Sequence, residues 1–209
     1  MSRCMPRPSP SPDAINRWKA FLRNHREVIA AMDFFVVPTA TWHLLYGFFV
    51  IDHGRRVILH FNATFHPAES WLRQQMCEAF PGDEPVPKYI ILDRDSSFSP
   101  LVLRRLRNMG MIIKRTSVKS PWQNGTAERW IASLRRDMLH HVIVIDARHL
   151  CRLVRSYISY YHEDRTHLSL GKDPPRSRPM EERPAVPSVV VALPRVGGLH
   201  HRYTWKRAA

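Results

Sequence analysis

The sequence predicts an α/β fold in which helices flank a mixed sheet of five strands. Two observations favour this class: three β-like runs follow one another early in the chain, and helices and strands alternate after them. The chain has 209 residues, of which 44% are hydrophobic. This length allows one substantial core with extensions and is too short for two large domains.

The first half of the chain predicts a helix and then an antiparallel meander. Ser11 is a plausible N-cap ahead of Pro12, and Trp18 and Phe21 belong to an apolar stripe at helical spacing. A helix that docks on the core is therefore expected first. The β-like runs that follow are 33–37, 44–52 and 56–62.

The second half predicts alternating helices and strands. Tyr89 to Leu92 is a short, fully apolar run, which is typical of a central strand. The order of elements matches a ribonuclease H-like architecture. The predicted elements are a helix at 66–80, a strand at 89–92, a helix at 101–108, a strand at 112–116, a helix from 124 or 125, and a helix at 148–161.

Three segments are expected along the chain. Residues 1–30 form an N-terminal arm and the docking helix, and residues 31–170 form the main folded core. Residues 171–209 are Pro-rich and basic, with one strand-like run at Val189–Leu193. This last segment is interpreted as an extension and not as a second core.

The high positive charge of the chain favours a polyanionic partner. The 32 Lys and Arg residues against 18 Asp and Glu give a net charge of +14, with a pI near 10.5. Such a surface favours nucleic acid, although charge alone rejects an ordinary basic soluble protein only weakly. Three scattered cysteines match neither a zinc site nor a disulfide framework.

Membrane insertion and secretion are not expected. The most apolar stretch, 34–51, has polar residues at its centre, including Thr39, Thr41 and His43. Two buried strands joined by a turn explain it better than a membrane span. No leader-like segment begins the chain, so a cytoplasmic, nucleoid-associated location is expected.

Three carboxylates stand where an active site of an open sheet is expected. Asp33 abuts the first apolar run, Asp93 ends the central strand, and Glu128 lies in the first turn of the following helix. Hard divalent cations prefer oxygen ligands, and a pair of them suits phosphoryl transfer. Each acid alone has an ordinary explanation as a solvated, capping or helix-dipole residue. All three together favour a metal site.

At these residues the chain resembles the DDE-type integrase catalytic core of bacterial transposases and retroviral integrases, over about 33–174. Residues 93–98 are similar to the family's Asp-Asn-Gly-x-x-Phe, and 120–129 to its most recognisable segment. Residues 160–174 resemble the end of its core. The separation 128 − 93 = 35 matches the family spacing to within a residue, whereas Asp95, where the family usually has Gly, would give 33.

The resemblance implies that Asp33, Asp93 and Glu128 are both the catalytic residues and the ligands of a two-metal site for Mg²⁺ or Mn²⁺. The implied reaction is strand transfer, in which water or a 3′-hydroxyl attacks a DNA phosphodiester with no covalent protein intermediate. DNA is then the substrate. A homodimer or higher oligomer is implied, because two DNA ends must be joined.

Several polar residues are expected to contact the nucleic acid. Arg135 and Arg136 follow Glu128 by two helical turns and could contact flanking phosphates. Trp122 is either a loop anchor or a base-stacking residue. The full predicted set is Lys114, Lys119, Trp122, Gln123, Asn124, Arg129, Arg135 and Arg136.

Two alternatives stay open beside an active DNA transferase. One is a truncated or inactive remnant that only binds DNA, and the other is a nuclease of the same fold that cuts RNA or hybrids. Only 32 residues precede Asp33, and no helix-turn-helix module fits there. A separate helix-turn-helix subunit is therefore a possible partner for recognising DNA ends.

Overall fold

The computed structural model describes residues 11–82, 85–117 and 120–208, with Pro121 described by its backbone alone. The helices within these ranges are α1 (Pro12–Asn24), α2 (Glu69–Ala79), α3 (Pro100–Asn108), α4 (Gly125–Asp137) and α5 (Ala147–Glu163). The strands are β1 (Ile29–Pro38), β2 (Leu44–Asp52), β3 (Ile58–Thr64), β4 (Tyr89–Leu92), β5 (Ile112–Arg115), β6 (Ser188–Arg195) and β7 (His200–Arg207).

The central sheet has five strands in the order β3-β2-β1-β4-β5. β2 pairs antiparallel with both β1 and β3. β4 lies parallel between β1 and β5. The mixed sheet and the order of its strands along the chain are as the sequence predicts.

Helices cover both faces of this sheet. Adjacent residues of β2 point to opposite sides, so that Phe49 joins the core beneath α4 and α5 while Phe48 joins the core beneath α2 and α3. Both are fully buried. The ring of Trp130 on α4 lies 4.2 Å from that of Phe49, centroid to centroid. Because side chains alternate along a strand, a sheet buried on both faces reads as a continuous apolar run.

The apolar stretch at 34–51 is confirmed as two strands. It forms the second half of β1 and nearly all of β2, which are joined by a turn in which the Thr39 carbonyl accepts a backbone hydrogen bond from Trp42 at 2.9 Å. Among the described helices, none is long and apolar enough to cross a membrane.

The first strand begins earlier than the sequence predicts. It starts at Ile29, so Asp33 is the fifth of its ten residues and does not open the strand. The early part pairs in parallel with β4, where Ile29 faces Tyr89 and Ala31 faces Ile91. Two alanines have little β propensity of their own, which is why the pattern hid this segment.

The C-terminal extension contains two strands where one was predicted. β6 covers the predicted run, and β7 pairs with it antiparallel along its whole length. Gly197 and Gly198 lie between them with φ of 63° and 91°, a left-handed conformation that glycine adopts without a side-chain clash. β7 is rich in Arg, His and Lys, so no apolar pattern marked it as a strand.

A buried carboxylate attaches this hairpin to the core. Asp164 follows α5, and its side chain is 2% exposed. Arg195 donates to it at 2.8 Å, and Arg178 and Arg202 lie 3.5 and 3.7 Å away. A buried charge requires such partners, because removing it from water costs several kcal/mol, on the order estimated for single ions. The extension is therefore packed on the core through this cluster.

Candidate active site

Asp33 lies in the middle of the sheet and faces α4. Its neighbours on the same side of β1, Ala31 and Phe35, belong to the core beneath α4 and α5. The side chain is half-buried. Its Oδ1 accepts a hydrogen bond from the Phe34 amide at 2.8 Å, and its Oδ2 accepts one from the Asn124 side-chain amide at 3.2 Å. The carboxylate is thereby held in one orientation.

The environment of Asp33 disfavours its negative charge. Burial, as the largest cause, raises its pKa to about 7, against the lowering effect of the Phe34 amide. The charges of Asp93, Glu128 and Asp95 raise it further. The three acids predicted from the sequence therefore lie within electrostatic reach of one another.

Asp93 lies directly after β4 and is half-buried. Its Oδ1 accepts a hydrogen bond from the Asp95 amide at 2.9 Å, and Asp95 in turn accepts one from the Ser97 amide at 2.7 Å. Asp95 is exposed and stabilises this local turn. Of the two, Asp93 has the larger effect on the pKa of Asp33, which favours Asp93 as the second acid of the site.

Glu128 lies in the first turn of α4 and is exposed. Partial desolvation raises its pKa. Within the described ranges, no three His, Cys, Asp or Glu side chains are grouped closely enough to hold a metal ion together. The donor chemistry nevertheless fits Mg²⁺ or Mn²⁺, since the site offers carboxylate oxygens and concentrates negative charge that a cation would neutralise.

The role predicted for Asn124 needs correction. It was expected to contact nucleic acid, but its side chain is only 2% exposed and its amide nitrogen binds Asp33. A buried side chain of this kind cannot reach a ligand outside. In this structure, Asn124 therefore orients the Asp33 carboxylate. Its own Oδ1 has no donor among the described residues.

The loop before α4 is braced by an element that the sequence did not connect to the site. The Trp18 indole on α1 donates to the Gln123 carbonyl at 3.2 Å. The Gln123 side chain accepts a hydrogen bond from the Ser117 amide, and Trp122 beside it is half-buried. The sequence indicated only that Trp18 belongs to the apolar stripe of a helix that docks on the core. The signal that could have identified it is its indole N–H, a donor that needs an acceptor when it is buried.

Of the basic residues predicted to contact nucleic acid, some bind other parts of the protein and others are exposed to solvent. Arg135 is half-buried and donates to the Val36 carbonyl at 3.0 Å, so it joins α4 to β1. The Lys114 ammonium lies 5.3 Å from the centre of the Phe21 ring in a cation–π contact. Arg129 and Arg136 are exposed on α4. Lys119 lies outside the described residues.

Comparison with protein families assigns part of this region. Residues 109–175 match the family model described as an integrase core domain. These residues are similar to a segment of that family's core. The match covers about a third of the chain and contains Asn124 and Glu128, whereas Asp33 and Asp93 lie ahead of it. No curated protein matches the chain by sequence.

Solved structures confirm the ribonuclease H-like fold. The catalytic domain of Mos1 mariner transposase has a TM-score of 0.57 at 10% identity, covering 74% of this chain and 85% of that one. A chain of the simian T-cell lymphotropic virus intasome, solved in complex with PP2A regulatory subunit B56 gamma, has a TM-score of 0.56 at 13% identity. It covers 86% of this chain, which in turn spans 66% of the viral one.

The HTLV-2 integrase catalytic core domain, solved in complex with magnesium, is also similar, with a TM-score of 0.53 at 10% identity. The matched region covers 70% of this chain and 92% of the HTLV-2 domain. At these low identities, the structural similarity establishes a shared fold and nothing more. The resemblance to integrase and transposase cores that the sequence indicated is confirmed by the family match and by the fold.

Proposed function

We propose that the chain is the catalytic core of a DNA transposase or integrase and carries out metal-dependent cleavage and strand transfer. The observation that carries this proposal is Asp33, a half-buried carboxylate whose pKa burial and three neighbouring acids raise to about 7. A site that gathers acids around a desolvated carboxylate suits a cation. The integrase core segment and the fold support the same conclusion.

Asp33, Asp93 and Glu128 would hold the cations. When bound, a pair of Mg²⁺ or Mn²⁺ ions stabilises the attacking and leaving oxygens of a phosphoryl transfer. Asp33 lies on β1 and Asp93 directly follows the neighbouring strand β4, which fixes their backbones relative to each other. Glu128 is exposed on a helix, so its side chain can turn toward them without a core rearrangement.

Other residues of the chain would keep Asp33 in place. Asn124 holds Oδ2 from the side of α4, and the Phe34 amide holds Oδ1 from the strand. Trp18 restrains the loop that carries Asn124 through its bond to Gln123. These contacts position a ligand without touching the substrate, which is the usual work of groups around a metal ligand.

DNA would lie along the outward surface of α4. Arg129 and Arg136 are exposed there, and the chain carries a net charge of +14. We include in the proposal a homodimer or higher oligomer on DNA, and a separate helix-turn-helix subunit for end recognition. The proposed setting is the cytoplasm, in association with the nucleoid.

The test is strand transfer of a labelled linear duplex into plasmid in Mg²⁺ or Mn²⁺. Wild type should give joined products, and Glu128→Gln should give none. Glu182→Gln is the matched control, since Glu182 is exposed in the extension and loses the same charge. Binding of Mn²⁺, followed by electron paramagnetic resonance, should weaken in Glu128→Gln and not in the control.

A second candidate is a remnant that binds DNA without turnover. It is favoured by one observation: the described acids do not already form a closed group of three metal ligands. If folded wild-type protein binds DNA but gives no products, addition of a helix-turn-helix subunit separates the two cases. Recovered activity would identify a missing partner, and continued inactivity would identify a remnant. Cleavage of RNA–DNA hybrids without DNA joining would indicate a nuclease.

A further inference from the structure

A second charged region lies on another side of α4. A cavity of about 480 Å³ opens between α4 and the segment that follows α5. Four arginines line it, and no Asp or Glu is among its lining residues. The arginines are Arg56, Arg129, Arg136 and Arg165.

The positive charge of this cavity is poorly compensated. Asp137 pairs with both Arg136 and Arg165 at 3.0 Å. Arg129 donates from Nε to the Gly125 carbonyl at 2.9 Å. Within the described part of the chain, neither Arg129 nor Arg56 forms an ion pair. Two of the four guanidinium groups therefore share one carboxylate, and the other two have none among the described residues.

Arg56 shows the effect of this crowding. It is half-buried, and burial together with the charges of Arg129, Arg26 and Arg165 lowers its pKa. Its φ is 64°, in the left-handed region that a side chain such as arginine rarely adopts. Strained residues of this kind tend to occur at ligand sites. The Arg56 guanidinium is thus held close to other arginines.

Buried polar atoms at the cavity also lack partners. Trp130 and His167 both line it and are 1% and 6% exposed. Among the residues that the structure describes, the Trp130 Nε1 and the His167 Nε2 have no hydrogen-bond partner. The indole N–H can only donate. Native proteins rarely leave such groups unpaired, so their presence points to a polar ligand.

We propose that this cavity binds a phosphate group, supplied by a DNA backbone. Guanidinium groups match phosphate geometry through paired N–H donors, and the cavity presents four of them. The site is separate from the acids: Arg129 follows Glu128 directly, but successive residues of a helix are turned by about 100°. The phosphate chemistry stands on the cavity alone, and the choice of DNA as its source rests on the proposed function.

The first experiment measures phosphate itself, without metal or DNA. Thermal unfolding is followed with inorganic phosphate and with chloride at matched ionic strength. A ligand that binds the folded state raises the midpoint, and a rise of about 2 °C or more is expected for wild type. Arg56→Gln should lose most of this rise. Arg152→Gln should keep it, since Arg152 is exposed on α5, away from the cavity.

The second experiment identifies the source of the phosphate. Binding of a short duplex is measured by fluorescence anisotropy over a salt series. For Arg56→Gln, the slope of log K against log salt should fall by about 0.9, as expected for one lost phosphate contact. Arg129→Gln gives a second variant at an exposed position if Arg56→Gln folds poorly.

The outcomes separate cleanly. Loss of both the phosphate response and the slope confirms a DNA phosphate site. Loss of the phosphate response with an unchanged slope keeps the site but overturns DNA as its source. Equal phosphate responses in wild type and in both folded variants overturn the proposal, whatever the result of the strand-transfer assay.

Discussion

Two sides of helix α4 border clusters of opposite charge. On one side Glu128 contributes to a group of acids around Asp33, where burial, and to a smaller extent the charges of the neighbouring acids, raise the pKa of that carboxyl. On the other side Arg129 contributes to a group of arginines around Arg56, where burial, and to a smaller extent the charges of neighbouring arginines, lower the pKa of that guanidinium. Consecutive residues of one helix thus belong to two like-charged clusters of opposite sign.

The difference shows what each cluster lacks. Like charges held together cost free energy unless a counter-ion compensates them. A cation would relieve the acids, and an oxyanion would relieve the arginines. A DNA strand with bound metal offers both at once, with phosphates spaced along the backbone. The two clusters should therefore respond to different ligands and to different substitutions.

The largest effect should follow removal of an acid. Asp33→Asn keeps the shape of the side chain, and we expect strand transfer to fall by more than about 100-fold, because even groups around metal ligands cost about 10- to 100-fold when lost. Asp93→Asn should behave in the same way. Asp95→Asn is the control, and loss of activity there with activity retained in Asp93→Asn would assign the second ligand to Asp95.

The acid cluster should also give the metal-free protein a distinctive pH dependence. Because the pKa of Asp33 is raised from 3.8 to about 7, the folded state keeps a proton that the unfolded state releases between these values. Asp33 therefore destabilises the fold as the pH rises from about 4 to 7, by about 4 kcal/mol at most, at roughly 1.4 kcal/mol per pKa unit. Above about 7 the effect is constant.

Urea unfolding of wild type and Asp33→Asn at several pH values isolates this contribution. Burial lowers the pKa of His53, His162 and His167 to about 4, which changes stability in the opposite direction over the same range. The difference between the two proteins removes those histidines, which are common to both. A difference that does not grow between pH 4 and 7 would show that Asp33 titrates normally.

A smaller effect is expected at Asn124. Asn124→Ala removes the donor that holds Asp33 Oδ2, and we expect activity to fall by about 10- to 100-fold. Stability should fall by about 1–3 kcal/mol, through loss of a buried hydrogen bond. Since Asn124 holds an acid and lies outside the arginine cavity, its variant should keep the full phosphate response. Loss of the phosphate response in this variant would show that the acid cluster and the arginine cavity are not independent sites.

The smallest effect separates two adjacent arginines. Arg136 is exposed and lines the cavity, so Arg136→Ala should lower the salt slope of DNA binding by about 0.9. Arg135→Ala should leave the slope unchanged and cost about 1 kcal/mol of stability, because its guanidinium bonds the Val36 carbonyl. Anisotropy titrations and urea unfolding of both variants test this. Equal slopes for the two would remove Arg136 from the DNA footprint.

The sequence predicted the sheet well because its buried strands are continuous apolar runs. The apolar runs of β2 and β4 mark buried strands, and the acids Asp93 and Glu128 follow or begin regular elements. The start of β1 was missed because Ala30 and Ala31 carry little β signal. β7 was missed because its residues are polar and it is identified by pairing with β6.

The contacts of the site were harder to predict, since they depend on side chains that are distant in sequence. Asn124 and Asp33 are separated by 91 residues, and Trp18 and Gln123 by 105. The arginine cavity joins Arg56 to α4 and to the segment after α5. Sequence patterns report which face of an element is buried, and they do not report which polar groups meet across elements.

The cluster at Asp164 has a consequence for the order of events during synthesis. During synthesis the N-terminal part of a chain emerges first and can fold before the rest is made. Of the three arginines around Asp164, Arg195 and Arg202 are made 31 and 38 residues after it, by 195 − 164 and 202 − 164. The end of α5 therefore keeps a hydrated carboxylate until the hairpin leaves the ribosome. Closure of this corner therefore follows the synthesis of α5 and needs the hairpin to be present.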